Sequence, residues 1–188
     1  SIVFLPWAFS AFVVGLVFRW SFNGEYGVVN DVLMKLGIIK KGIAWLGTPG
    51  LSLVVVILAM IWIGIPFFGI MILAALQSIP DEIYEAADMD GCGMFRKFFS
   101  LTLPGLSPIM FYTVVVNIIQ AFQSFGQIKI LTEGGPNEST NVIVYSIYRD
   151  AFFNYRFGSA SAQSVILFII IMLVTLVMFR IEKKGVNY

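Results

Sequence analysis

Four stretches of this chain, residues 1–18, 42–80, 98–128 and 157–179, contain no Asp, Glu, Lys or Arg. A bilayer core of about 30 Å takes about 20 helical residues to cross. Lipid offers no partners to backbone N–H and C=O groups, so a spanning segment must satisfy them itself. The first stretch is marginal in length and the other three are ample. The two middle stretches exceed one crossing, so their ends belong to loops or to the interface. Membrane β-barrels alternate apolar and polar residues over short segments, and these stretches do not. Composition agrees: 59% of residues are hydrophobic and 12% charged, against roughly 25% charged in soluble domains. The expected fold is all-α, a polytopic membrane helical bundle with transmembrane helices near 2–20, 51–77, 106–126 and 160–180.

The first stretch does not read as a signal peptide. It lacks a basic start and a small-residue cleavage site, and Trp7 and Arg19–Trp20 do not suit one. The chain opens at Ser1 directly in apolar sequence, which reads as a fragment with upstream helices missing. A single cysteine, Cys92, excludes an internal disulfide, and its place between Gly91 and Gly93 reads as a small residue in a tight spot. The 188 residues contain no histidine, which removes the usual general base and the commonest metal ligand. With no nucleophile–base set and no metal-ligand cluster, an enzyme is not expected, nor is a cofactor. A net charge of +1 makes no electrostatic case for nucleic acid.

Three polar connections separate the four spans. The first, residues 21–50, reads as a turn at Asn23–Gly24, a short amphipathic helix near 28–37 and a breaker cluster at Gly47–Gly50. Trp20 and Trp45 stand near its ends, where interfacial aromatics concentrate. The third, residues 127–159, contains a Gly134-Gly135-Pro136 turn and then an aromatic segment with a short helix. Four crossings place the second connection and the C-terminus on one side. That side holds five of the Lys and Arg residues and the opposite side seven, so the positive-inside rule does not orient the chain.

The second connection, residues 78–105, is crowded. Ser78 and Asp81 can cap a helix start, with Pro80 in the first turn. Asp81 and Glu82 then meet the positive end of the helix dipole. Asp81, Glu85 and Asp88 form an acidic stripe, Ile83, Ala86 and Ala87 a small apolar face, and Gly91 stops the helix. A second short helix follows, with Met94, Phe95, Phe98 and Phe99 on one side, ending at Leu101-Thr102-Leu103-Pro104. Two readings stand side by side: a solvated loop helix with good caps, or a helix presented to a groove of another protein.

The spacing Glu85-Ala86-Ala87, three residues, Gly91, nine residues, Leu101-Thr102-Leu103-Pro104 resembles the EAA loop of permease subunits in binding-protein-dependent ATP-driven importers. Leu101 replaces the family's isoleucine. "LAALQSIPDEIYEAADMDG" (73–91), "LTEGGPNEST" (131–140), "FLPWAFS" (4–10) and "YRDAFFNYRFGSASAQS" (148–164) resemble the carbohydrate-uptake branch of that family, the maltose and glycerol-phosphate type. The resemblance covers essentially the whole chain. It implies a single transmembrane permease domain over 1–188, N-terminally truncated from a core of about six helices. Residues 78–104 would be a cytoplasmic coupling loop and 127–159 an external loop. Glu85, Ala86, Ala87, Asp90, Gly91 and Pro104 would be the ATPase-coupling residues. The implied partners are a dimer of ATP-binding subunits, a second permease subunit, an extracellular or periplasmic solute-binding protein, a sugar and membrane lipid. The implied location is a bacterial or archaeal plasma membrane, crossed several times. The EAA spacing alone would also admit a permease for an amino acid or peptide; the Gly-Gly-Pro loop argues for the sugar branch.

The chain carries no G-x-x-x-x-G-K-[ST] loop. Its expected spans hold only Arg19 and Arg180, both at their ends, whereas ion-coupled transporters need ionisable groups inside the membrane. Work must therefore arrive through contact with a partner. Thr113, Asn117, Gln120 and Ser124 are spaced for one helical face, with Gln123 beside it. Such a polar stripe either hydrogen-bonds neighbouring helices or walls a solute path. The maltose-type resemblance implies substrate contacts from the spans flanking the EAA loop, which maps to Gly64 and Phe67 before it and Gln120 and Ser124 after it; Asn117 joins these candidates from the polar stripe. Phe67 and Trp62 either stack on sugar faces or simply pack; Phe9 and Ser10 are weaker candidates. No buried cation awaits a phosphate, which disfavours a strongly anionic solute in this subunit.

Overall fold

The computed structural model describes residues 5–185, and every regular element among them is helical. The chain divides into two compact units: Ser1–Pro66 with Ala121–Ile171, and Phe67–Gln120 with Met172–Tyr188.

The first unit opens with a one-turn helix, α1 (Leu5–Ala8), and α2 (Ala11–Ser21). The expected span over 2–20 is thus interrupted, and its residues 2–4 lie outside the described residues. The break is chemical: the Ser10 side chain accepts from the Val13 N–H at 3.3 Å and caps a new helix start. With 11 residues, α2 reaches only about 17 Å. After it comes α3 (Val28–Lys35), close to the amphipathic helix expected over 28–37. It ends in a Schellman motif: Gly37 takes φ +72°, and Ile38 N–H reaches the Leu33 carbonyl at 3.0 Å.

Helix α4 (Leu51–Gln77) matches the expected span residue for residue at 27 residues. Ser52, Val55, Val56 and Ala59 recur at helical spacing and are fully buried, while Leu53, Val54, Ile57, Leu58, Ile61 and Ile65 stay exposed. That exposed face is too apolar for water and suits lipid. Pro66 within α4 removes one backbone hydrogen bond, a defect that neighbouring groups make tolerable in membrane helices.

The second unit continues along α4 into α5 (Asp81–Met89), α6 (Met94–Lys97), a π-helical turn over Phe98–Thr102, α7 (Leu103–Gly105) and α8 (Ser107–Phe122). Met94–Gly105 and Ser107–Phe122 meet at a 61° bend. The expected straight span over 106–126 is therefore shorter, and Ser124 lies beyond the end of α8. Within this unit the Phe111 and Phe179 rings sit 5.9 Å apart.

The chain returns to the first unit with α9 (Gly126–Leu131) and α10 (Ile143–Phe152) and ends in α11 (Phe157–Gly185), which brackets the expected 160–180. The first unit's core joins Val55, Val56 and Ala59 of α4 to Ile128 and Leu131 of α9 and Tyr145 of α10. Phe18, Phe22, Trp45 and Phe125 surround it. By length and composition, two described helices can cross a membrane, Leu51–Gln77 and Phe157–Glu182, and three if the bent pair counts as one span. A fourth crossing is not evident, because α1 and α2 are short and broken.

Candidate functional site

The second connection becomes a helical hairpin. Ser78 does not cap α5, as its spacing to Asp81 suggested. Its hydroxyl donates to the Ala75 carbonyl at 2.7 Å and closes α4 instead. Pro80 takes the cap position of α5 with no side-chain bond, and Asp81 and Glu82 fill the first turn, where the helix dipole favours them. Gly91 ends the helix with φ +70°; Gly91 N–H bonds to Asp88 O at 3.0 Å and Cys92 N–H to Ala87 O at 2.9 Å. A Cβ on Gly91 or Gly93 would meet nothing within 4 Å, so Gly91 is required by its backbone angle and not by space, and Cys92 between them is half-buried.

The hairpin's inner side is made by Ala87, 7% exposed, with Tyr84, Lys97 and Thr102 half-buried. Asp88 leaves the acidic stripe to pair with Lys97. Its outer side carries Asp81, Glu85, Ala86 and Asp90, all exposed, beside Met89, Met94 and Phe95, each more than four-fifths exposed. Pro104 is exposed within α7. Thus Glu85, Ala86 and Asp90 are presented outward while Ala87 packs inward, which the four-residue motif alone does not distinguish.

The predicted substrate-path residues fall in both units. Gly64 and Ser124 belong to the first, Phe67, Asn117 and Gln120 to the second. Phe67 is half-buried and meets Phe68 edge-to-face at 5.3 Å. Asn117 Nδ2 donates to the Thr113 carbonyl at 3.0 Å, and Thr113 Oγ1 to the Met110 carbonyl at 2.8 Å. Ser124 is 8% exposed and donates to the Ala121 carbonyl at 2.8 Å. These groups bond back to their own chain. Gln120 is exposed, and its amide makes no side-chain hydrogen bond among the described residues. Trp62 packs at 6.1 Å from Phe18, which favours packing over sugar stacking for that ring.

In the first unit, a cavity of about 450 Å³ opens between the first and third connections, lined by Arg19, Phe22, Asn23, Gly24, Thr132 and Glu133 among others. Arg19 Nη1 donates to the Ile130 carbonyl at 3.1 Å, tying α2 to α9. The third connection is held by Thr140, 1% exposed, which donates to the Gly135 carbonyl at 2.8 Å and meets Thr132 Oγ1 at 2.7 Å. Glu138 accepts from Arg149, and that hydrogen bond holds its carboxyl below the usual range.

The junction between α10 and α11 depends on one acid. Asp150 accepts from Asn154 at 2.9 Å, Ser159 at 3.0 Å and Gln163 at 2.7 Å. These bonds, Asn154's first, hold its carboxyl below its ordinary value. A depressed folded-state pKa adds stability that is complete above the unfolded value of about 3.9 and fades as pH falls through the lower folded value. The protection factor at the first turn of α11, the exchange rate corrected for its intrinsic dependence on pH, is therefore expected to hold from neutral pH down to about 3.9 and to fall below it. In Asp150→Ala the same turn exchanges fast at every pH.

Residues 1–185 match the family described as "Binding-protein-dependent transport system inner membrane component". The sulfoquinovosyl glycerol transport system permease protein SmoG of Agrobacterium fabrum is 41% identical, over 95% of this chain and 58% of its own length. The sn-glycerol-3-phosphate transport system permease protein UgpA of Pectobacterium atrosepticum is 37% identical, over 100% of this chain and 63% of its own. A probable ABC transporter permease of Brucella suis is also 37% identical, over 98% of this chain and 64% of its own. This chain thus spans about three-fifths of the length of these relatives. A crystal structure of a bacterial ABC transporter involved in import of the acidic polysaccharide alginate superposes with a TM-score of 0.88 at 25% identity, over 99% of this chain and 65% of the other. The alginate transporter in complex with an alginate pentasaccharide-bound periplasmic protein superposes equally well, over 97% of this chain.

Proposed function

Because the chain belongs to the family of inner membrane components of binding-protein-dependent transport systems, we propose that it is a membrane-spanning permease subunit of an ATP-driven importer for a sugar or sugar derivative. The family is a transport component and not a catalytic one. The observation that carries the reading is the outer side of the hairpin over 78–104. Exposed Glu85 and Asp90 stand beside exposed Met89, Met94 and Phe95. That mixture of charge and unburied apolar surface suits a groove in a protein partner better than open water. The partner is the ATP-binding subunit dimer, which puts residues 78–104 on the cytoplasmic face and 127–159 outside. A second permease subunit and a solute-binding protein complete the assembly, the latter consistent with the periplasmic protein in the alginate complex. The chain then crosses the membrane four times, α1 and α2 together serving as the first crossing.

The relatives' names support a sugar-type solute. Gln120 is the first choice for solute contact, since its amide makes no side-chain hydrogen bond among the described residues, and Gly64, Phe67, Asn117 and Ser124 are the further candidates. Neutral amides and hydroxyls bind sugar hydroxyls; a charge on the solute would be met by another subunit. Glu85→Lys and Gly91→Val are expected to leave the subunit in the membrane and to abolish coupled uptake. The first reverses charge at the contact, and the second forces a β-branched residue into the left-handed region. The check is crosslinking from residues 85–91 to the ATPase together with solute uptake. Wild-type uptake in both variants sinks the proposal.

A further inference from the structure

Three contacts within the second unit join the chain before and along α5 to the chain running from α6 to α7. The Ile79 side chain fills the space beside Gly105, so that a Cβ there would stand 3.0 Å from Ile79 Cδ1. Tyr84 Oη and Thr102 Oγ1 are 2.9 Å apart. Lys97 Nζ donates to Asp88 Oδ1. Along the chain the first partners rise from 79 to 84 to 88, while their counterparts fall from 105 to 102 to 97. The contacts are therefore the rungs of an antiparallel hairpin, closed at its tip by the left-handed Gly91.

We propose that these rungs make residues 79–105 one rigid lever that delivers force from the exposed face of α5 forward to the start of α8, with Tyr84 and Thr102 as its positioning residues. The proposal rests on the coupling function above. An isolated helix of nine residues is marginal and would absorb a push by fraying. Rungs at three heights remove both hinge and shear. The π-helical turn over Phe98–Thr102 contains the middle rung's partner, as π-turns often do at functional positions.

Backward, the connection is weaker. Ser78 closes α4 on the Ala75 carbonyl, Ile79 bends with its N–H on the Leu76 carbonyl at 3.3 Å, and Pro80 is extended, with no side-chain hydrogen bond from α5 to α4 among the described residues. The three rungs are unequal. The Asp88 side chain is 66% exposed, so water and salt screen its pair with Lys97. Tyr84 and Thr102 are half-buried and neutral, and Gly105 admits no side chain without displacing Ile79.

The experiment uses the importer purified with its ATPase in lipid nanodiscs, with Cys92→Ser as background so that labels enter only at chosen sites. Spin labels at Ile83→Cys and Phe99→Cys, both exposed and on opposite arms of the hairpin, report the distance across the lever. ATP is the probe. In the otherwise unchanged chain the distance distribution is expected to be the same with and without ATP. In Tyr84→Phe and Thr102→Val it broadens on ATP addition, while the ATPase still copurifies. Coupled uptake per ATP falls at least about fivefold, and the double variant is no worse than either single one, because both remove the same contact. An ATP-driven change in the unchanged chain overturns the lever, as do wild-type coupling or additive losses in the double variant. Loss of ATPase capture in Tyr84→Phe overturns it too, by making that residue a docking one. If the unchanged chain never captures an ATPase, the coupling function itself falls, and the lever with it.

Discussion

Asn30→Ala is expected to unfold the connection between α2 and α4 and to lower the stability of that region by about 3 kcal/mol. Asn30 is 1% exposed, yet it is the polar centre of its loop. Its Nδ2 donates to the carbonyls of Gly24 and Ile43 at 3.0 Å and more weakly to that of Asn23 at 3.3 Å. Its Oδ1 accepts from Ile43 N–H at 3.2 Å and from the Trp45 indole at 2.8 Å. One amide thus joins the turn after α2 to the strand-like return before α4 and orients the Trp45 ring on the Phe22 ring, 5.7 Å away. Alanine leaves these buried groups without partners, and each such group costs about 1–3 kcal/mol when water cannot replace the bond. Hydrogen exchange over residues 22–45 measures the effect. Asn30→Asp is the sharper test. A carboxylate still accepts from Ile43 and Trp45 but faces carbonyl oxygens where donors were needed, so this variant loses structure as pH rises and the acid ionises. Equal protection in wild type and both variants would remove Asn30 from this role.

Gly15→Leu is expected to separate α2 from α9. The two helices pack directly on each other in the first unit, and a Cβ on Gly15 would lie 2.9 Å from Ile130 Cγ2 and 3.1 Å from Ile130 Cβ. The nearer of these atoms hangs on a branch point beside the backbone, so α9 itself must shift. Overpacking of this kind costs about 1–3 kcal/mol, and here it also breaks the Arg19–Ile130 hydrogen bond four residues further along α2. Leu131, next in α9, belongs to the core with Val55 and Ala59, so the damage reaches α4. The measurement is thermal stability in detergent, with Ile130→Ala in the Gly15→Leu background. The second substitution should restore most of the loss by vacating the space. No recovery would mean that Gly15 matters for a reason other than contact with Ile130.

Much of the architecture is legible in the chain because lipid is an undemanding solvent for pattern reading. The expected span over 51–77 matches α4 residue for residue and that over 160–180 lies within α11, Phe157–Gly185, since in a bilayer apolar length and helix are one requirement. The hairpin over 78–104 is legible too: Asp81, Glu82 and Gly91 are end-of-helix chemistry, and such chemistry is local. What failed were points where a local group had two possible roles, as hydrogen-bond acceptor or donor, or where a helix had two possible ends. Ser78 is equally placed to cap α5 or to close α4, and only the path of the chain past Ala75 selects the second. Ser124 lies in phase with Asn117 only if α8 continues, and the turn at Gln123 ends it.

The sequence by itself determined a bundle of membrane helices with a capped loop helix between two of them, because hydropathy and caps act within a few residues of one another, and its EAA spacing pointed to the permease family by resemblance. Only the tertiary structure decided that Asp88 pairs with Lys97, that Asn30 carries a loop, and that Tyr84 finds Thr102. Those outcomes depend on which side chains the folded backbone brings within about 3 Å, a distance that spacing along the chain does not encode.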